Sequence, residues 1–253
     1  PFILPSHIWS ARGDSSPNNR INIAIIGPGK MGRGHAHKLI RNPRAQVTGF
    51  AEIADVRTQH TRELIEKHYS KNTPGENWKG LTITQDYLEL LEDKSLDAVL
   101  IATPDHWHGE ATIRAARAKK HVYCEKPISL TIQEGRAMAD AVKQNKVVFQ
   151  TGSQQRTEYG GKFRRTVEMV RSGAIGELKK IRVCVGGPPV PCDLPAETKP
   201  KGIDWDAWLG PAPTRGFNKI LCPDDVHNHC PAWRRYREYC NGALADMGAH
   251  HFD

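Results

Sequence analysis

The apolar run Ile21-Asn22-Ile23-Ala24-Ile25-Ile26 leads directly into Gly27-Pro28-Gly29-Lys30-Met31-Gly32. This G-x-G-x-x-G loop follows a predicted strand over 20–26 and opens a predicted helix over 30–41. That context restricts the chain more than any other feature in it. The glycines permit a tight turn and a close approach of backbone to a pyrophosphate. The helix behind them offers unpaired N–H groups and the positive end of its dipole. An acidic residue is expected about 20 residues on, at the end of the second strand. Glu52 stands there, after a predicted strand over 46–51. Its carboxylate would bond ribose hydroxyls and repel a 2′-phosphate, so NAD is expected ahead of NADP. Arg33 and Arg57 leave some room for NADP.

The alternation continues through the first half. Further strands are expected over 81–84, 97–102, 121–124 and 146–151. Helices are expected over 56–69, 86–92, 107–118 and 131–144, with a Pro/Gly loop over 71–80. Strands and helices in this order make βαβ units and a parallel sheet with right-handed crossovers. After Thr151 the texture changes. A helix is expected over 159–171, stopped by Ser172-Gly173. A strand is expected over 179–185, with Ile181, Val183 and Val185 on one face. Residues 186–231 are rich in Pro, Gly, Trp and Cys and have little periodicity. So long an irregular stretch points to function, and its tryptophans argue for order. The expected organisation is α/β: an N-terminal extension over 1–19, a nucleotide-binding domain over 20–152 and a second domain over 153–253.

Composition removes whole classes. Of 253 residues, 38% are hydrophobic and 25% charged, which excludes a mostly disordered chain, a collagen-like fibre and a small disulfide scaffold. No apolar run approaches the ~20 residues of a membrane span. The net charge is +8, but it is scattered in pairs such as Lys119-Lys120 and Arg234-Arg235 with acids among them. That pattern reads as solvated surface with some attraction for anionic ligands, and no nucleic-acid partner is expected. The six cysteines contain no C-x-x-C and force neither disulfide nor zinc. Cys222, His227, His229 and Cys230 have zinc-ligand chemistry, but C-x4-H-x-H-C matches no structural zinc pattern, so no metal is expected.

Three later motifs carry chemistry. Thr103-Pro104-Asp105-His106-Trp107-His108 follows the strong strand over 97–102, at the carboxyl edge where open parallel sheets bind ligands. Thr103 and Pro104 can pack on the nicotinamide-side ribose. His106 and His108 join the ligand site, cap the next helix or sit on the surface. Glu125-Lys126-Pro127 again follows a strand, and a Lys there points into the same crevice. Its ammonium can stabilise a developing negative charge, or it is a surface Lys in a turn. Pro127 can be cis and shape that turn. Asp246 and His250 are four apart, so one helix puts them on one face. The carboxylate can orient the imidazole as a base for a hydroxyl proton, or the two form an ordinary polar pair.

Together these residues resemble the glucose–fructose oxidoreductase/inositol dehydrogenase (Gfo/Idh/MocA) family. The likeness runs from about Arg20 to Asp253, with the glycine loop, Glu52, Thr103-Pro104, Glu125-Lys126-Pro127 and Asp246-x-x-x-His250 in the family's order. It implies a Rossmann domain followed by an α/β domain with a large, mostly antiparallel sheet. It implies that Lys126 is the catalytic lysine, His250 the acid/base, and Asp246 a contact to substrate or an aid to His250. The implied cofactor set is Gly27, Gly29, Lys30, Met31, Gly32, Glu52, Thr103, Pro104, His106, Glu125 and Lys126. The implied substrate is a sugar or other polyol, with Trp205, Trp208 or Trp233 available to stack on a sugar face and Arg156 and Arg237 to bond hydroxyls or an acidic group.

Residues 151–156, 205–211 and 233–237 resemble an exported bacterial subgroup. The opening Pro1–Trp9 looks like the region after a removed twin-arginine leader, so a periplasmic location is expected, with the cytoplasm as the alternative. Family members continue past the D-x-x-x-H helix, so the chain reads as truncated at Asp253, and a homo-oligomer is expected at full length. The activity implied is NAD-dependent hydride transfer at a hydroxyl. Two rivals are a glycosidase that oxidises transiently with no net redox change, and a non-catalytic cofactor-binding protein.

Overall fold

The computed structural model describes residues 20–71 and 80–252. The expected extension over 1–19, most of the loop over 71–80, and Asp253 lie outside the described residues. Six strands form one sheet in the order β3-β2-β1-β4-β5-β6. They are β1 Ile21–Ile26, β2 Ala45–Ala51, β3 Thr82–Thr84, β4 Ala98–Ile101, β5 His121–Glu125 and β6 Phe149–Gly152. Every neighbouring pair is parallel. The order reverses between β1 and β4, and the glycine loop leaves the sheet at that point. This is the switch point at which open α/β sheets leave a crevice.

Residue type along each strand explains the two covered faces. Ala24 and Ile26 of β1 pack into a core with Val99, Ile101, Val122 and Cys124 and the helices behind them. Ile25, one residue out of phase, joins Val47, Phe50 and Leu100 on the other face. A sheet buried on both faces needs this apolar continuity. Helices α1 Lys30–Leu39 and α2 Asp55–Lys71 cover the second face through Ala36 and Ile65. Helices α3 Tyr87–Glu92, α4 His108–Arg117 and α5 Ile132–Asn145 complete this half. Asp86 caps α3, and Thr131 with Glu134 forms a full capping box on α5.

The second half begins with α6 Lys162–Arg171, followed by α7 Trp205–Leu209, α8 Gly242–Asp246 and α9 Gly248–His251. A third core joins Ile203, Trp205, Trp208, Leu209, Leu221, Trp233 and Tyr239 to Ala54 of the first half. The strand expected over 179–185 does not form, and Ile181 is 71% exposed. Alternation alone does not make a strand, because its backbone groups need a neighbouring ladder. Among the described residues none pairs with it. After β6 the described residues carry only isolated bridges, Ala54 with Ile203 and Val190 with Tyr236. No helix among the described residues is long and apolar enough to cross a membrane.

Candidate active site

Each glycine of the loop has its own reason. Gly27 has φ +76, and a Cβ there would stand 2.8 Å from Thr103 Cγ2. A Cβ on Gly32 would stand 2.6 Å from the Gly27 carbonyl oxygen. These two let β1, α1 and the Thr103 turn close on one another. A Cβ on Gly29 would meet nothing within 4 Å, so the middle glycine faces open space. Helix α1 has no side-chain cap and no acid in its first turn, which leaves its N–H groups for an anion. A cleft of about 420 Å³ opens beside the loop, lined by Gly27, Gly29, Lys30, Met31, Glu52, Thr103 and Pro104. Tyr87, Trp107, Leu221, Pro223 and Trp233 add apolar walls. A dinucleotide fits this donor set: bare backbone at the loop, a carboxylate at the far strand and flat apolar walls between.

Glu52 is buried, and its Oε1 accepts from Arg57 Nε and from the Ala54 amide, both at 3.0 Å. Arg57 also donates to the Pro223 carbonyl at 2.7 Å and lies 3.7 Å from the Cys222 sulfur. Burial works against its charge, but Glu52 and Cys222 outweigh burial and hold the pKa up. Arg33 donates from Nη2 to the His227 carbonyl at 2.6 Å. Burial, with Arg57 nearby, pulls its pKa down. The two arginines that left room for a 2′-phosphate are thus bonded to the 222–227 segment, which roofs the cleft.

The catalytic candidates come from three elements. Lys126 follows β5, in a cis peptide with Pro127, and its side chain is 12% exposed. Its ammonium donates to Asp246 Oδ1 and, at 3.0 Å, to the Asp246 carbonyl. Glu125 is buried, and its Oε1 lies 2.6 Å from His35 Nε2 and accepts from Gln154 Nε2 at 2.6 Å. Helix α8 ends at Asp246 and α9 starts at Gly248, with Met247 between them in helical conformation, and the Asp246 charge acts on His250. His250 also places Nδ1 2.5 Å from Gln155 Oε1. With an amide oxygen there, Nδ1 carries the proton and Nε2 keeps a lone pair. Burial, then Lys126, lowers the His250 pKa, which keeps the ring neutral and basic near pH 7.

Lys126, Asp246 and His250 stand beside the cleft rather than among its lining residues. Arg234 links the two, lining the cleft with Nε 3.8 Å from Asp246 Oδ2. The remaining candidates divide. Trp233 is buried and lines the cleft. Trp205 does not line it; it stacks on Trp208 at 4.7 Å in the third core. His106 is neither on the surface nor in the cleft. It is buried against Trp208 and Tyr239, with Nε2 3.0 Å from the Trp208 carbonyl. Arg156 and Arg237 are exposed and away from the cleft lining. Among the described residues no group of three or more His, Cys, Asp or Glu converges to hold a metal. Gln155, Arg234 and Tyr87 were missed. Gln155 and Arg234 had a weak signal, since both lie in the segments that carried the resemblance.

The fold and the site define a dinucleotide-binding α/β protein with a lysine, a carboxylate and a histidine at the sheet's carboxyl edge. Residues 21–153 match the Gfo/Idh/MocA oxidoreductase family with its NAD-binding Rossmann fold, and residues 190–253 match that family's C-terminal alpha/beta domain. The chain belongs to this family. It is 33% identical to myo-inositol 2-dehydrogenase of Thermotoga maritima, over 68% of this chain and 48% of the relative. It is 32% identical to the scyllo-inositol 2-dehydrogenase (NAD(+)) of Bacillus subtilis, over 63% of this chain and 42% of the relative. A crystal structure of an NAD-binding protein from Listeria innocua superposes with a TM-score of 0.52 at 29% identity, over 63% of this chain and 41% of that one. The chain therefore spans under half the length of these relatives.

Proposed function

We propose that the protein is an NAD-dependent dehydrogenase that oxidises a secondary hydroxyl of a cyclitol or sugar. The observation that carries this reading is the His250 imidazole, held at Nδ1 by Gln155 and close enough to the Lys126 ammonium to feel its charge, at the carboxyl edge of the sheet. His250 accepts the hydroxyl proton at Nε2. Lys126 donates an N–H to the same oxygen and steadies its negative charge as the proton leaves. Asp246 holds Lys126 in place, and Glu125 is held beneath it by His35 and Gln154. NAD, when bound in the cleft, supplies the hydride acceptor, and the carbinol carbon becomes a ketone. Glu52 and the bare Gly29 backbone would hold the dinucleotide, and Trp233 and Arg234 line the same cleft. The names of the inositol dehydrogenases at 33% and 32% identity support a polyol as substrate. Residues 190–253 begin an α/β domain, supported by the family match there, and its mostly antiparallel sheet rests on the resemblance alone.

The test is NADH formation from a panel of inositols and sugars, with wild type beside Lys126→Ala and His250→Ala. The reading predicts NADH accumulating with at least one polyol, and a loss of about 100- to 10,000-fold in each variant. Release of an aglycone from a glycoside with no NADH accumulating would replace it with the glycosidase reading.

A further inference from the structure

His108 opens α4 and is 1% exposed. Its Nδ1 lies 2.6 Å from the Pro127 carbonyl oxygen and its Nε2 3.0 Å from the Thr103 carbonyl oxygen. Those oxygens belong to two different turns. Thr103 is the residue against which Gly27 closes. Pro127 directly follows Lys126. Among the described residues no backbone N–H takes either oxygen, so the imidazole is their shared partner.

We propose that His108 is a positioning residue that ties the Thr103 turn to the Lys126-Pro127 turn and thereby fixes the ammonium relative to the glycine loop. A neutral imidazole has one N–H, and two carbonyls are both satisfied only by the doubly protonated ring. Burial, aided by Lys126, opposes that charge and outweighs the two carbonyls and Glu125, which favour it, so the pKa is lowered. The rigid neutral ring donates to one carbonyl at a time and stays packed between the two turns. The two turns end neighbouring strands, β4 and β5, whose ladder lies behind them. A catalytic group displaced by a fraction of an ångström loses much of its effect, so a rigid tie of this kind has a kinetic consequence. That consequence rests on the dehydrogenase reading of Lys126, whereas the tie itself does not.

The experiment uses three variants of the whole protein. An asparagine amide nitrogen falls near the imidazole Nδ1 and a glutamine amide nitrogen near Nε2. His108→Asn therefore keeps the link to Pro127, His108→Gln keeps the link to Thr103, and His108→Leu keeps neither. Hydrogen exchange is read by mass spectrometry over 102–107 and 124–130, with β4 and β5 as internal references. We expect Asn to speed exchange about tenfold in 102–107 alone, Gln in 124–130 alone, and Leu in both. Unchanged exchange, or a uniform rise that includes β4 and β5, overturns the tie. If Leu does not fold, the Asn and Gln pair still decides it.

Turnover is then measured per bound nucleotide with myo-inositol and NAD as probes. The proposal expects kcat to fall about tenfold in Asn and in Gln while both KM values stay within about twofold. A kcat equal to wild type, with only the melting temperature lowered, overturns the positioning role. A wild type that turns over no polyol sinks the dehydrogenase reading instead, and the segment-specific exchange pattern still decides the tie.

Discussion

The Lys126 ammonium rests on Asp246, donating to its carboxylate and, at 3.0 Å, to its backbone carbonyl. The pair joins the end of β5 to the end of α8, and neither side chain is more than 16% exposed. Lys126 is therefore presented by a residue from the other half of the chain.

Asp246→Asn removes a charge that favours protonation of His250. The imidazole pKa, already below its ordinary 6.5, falls further. Activity requires the neutral ring, so the acid limb of kcat/KM moves to lower pH while kcat drops about 10- to 100-fold. A pH–rate profile checks both. An acid limb that moves upward would contradict the assignment of His250 as the base.

Gln155→Glu does the opposite. A carboxylate facing Nδ1 stabilises the imidazolium, so the His250 pKa and the acid limb rise. Gln155→Leu leaves both tautomers available and lowers kcat about tenfold without moving the limb upward. Ring-nitrogen chemical shifts of His250 report the same changes with no substrate present.

Arg57→Leu strands the buried Glu52 carboxylate and unties the Pro223 carbonyl. Breaking one side of a buried pair costs about 3–5 kcal/mol. Chemical denaturation should show that loss, and Glu52→Gln in the same chain should restore part of it. A double variant no more stable than Arg57→Leu would mean that the pair is not coupled.

Asp105 and His106 are adjacent and buried, with opposite shifts. Burial pushes the Asp105 carboxyl from 3.8 up to about 7, and pulls the His106 imidazole from 6.5 down to about 4. Between 3.8 and 7 the folded state keeps an Asp105 proton that the unfolded chain has lost, so this group makes stability fall as pH rises. Between 4 and 6.5 the unfolded chain binds a His106 proton that the folded state refuses, so this group makes stability rise with pH. Asp105→Asn removes only the first effect. The melting temperature of the variant minus that of wild type should grow from pH 4 to pH 7 and level off above. Parallel curves would show that folding does not raise the Asp105 pKa.

The sheet was legible because strands such as β1 and β4 are apolar runs at a βαβ spacing, and β1 with its glycine loop fixes the switch point. The lysine, carboxylate and histidine were legible as residue types at strand and helix ends. Their distant partners were not. The four-residue spacing brings the Asp246 charge to bear on His250, but Asp246 bonds Lys126 120 residues away and His250 bonds Gln155 95 residues away. His108 reaches Pro127, Gln155 reaches His250 and Arg57 reaches Pro223, contacts that no local period encodes. The alternation over 179–185 was a true pattern with no ladder to join.

The most direct test of the central claim follows one atom. The protein is incubated with NAD and a panel of inositols and sugars deuterated at their carbinol carbons, and the nucleotide is weighed by mass spectrometry. The account predicts NADH carrying one deuterium from at least one polyol, with Lys126→Ala and His250→Ala nearly silent. Reduced nucleotide without deuterium, or none from any polyol although NAD binds, would contradict hydride transfer from a hydroxyl-bearing carbon.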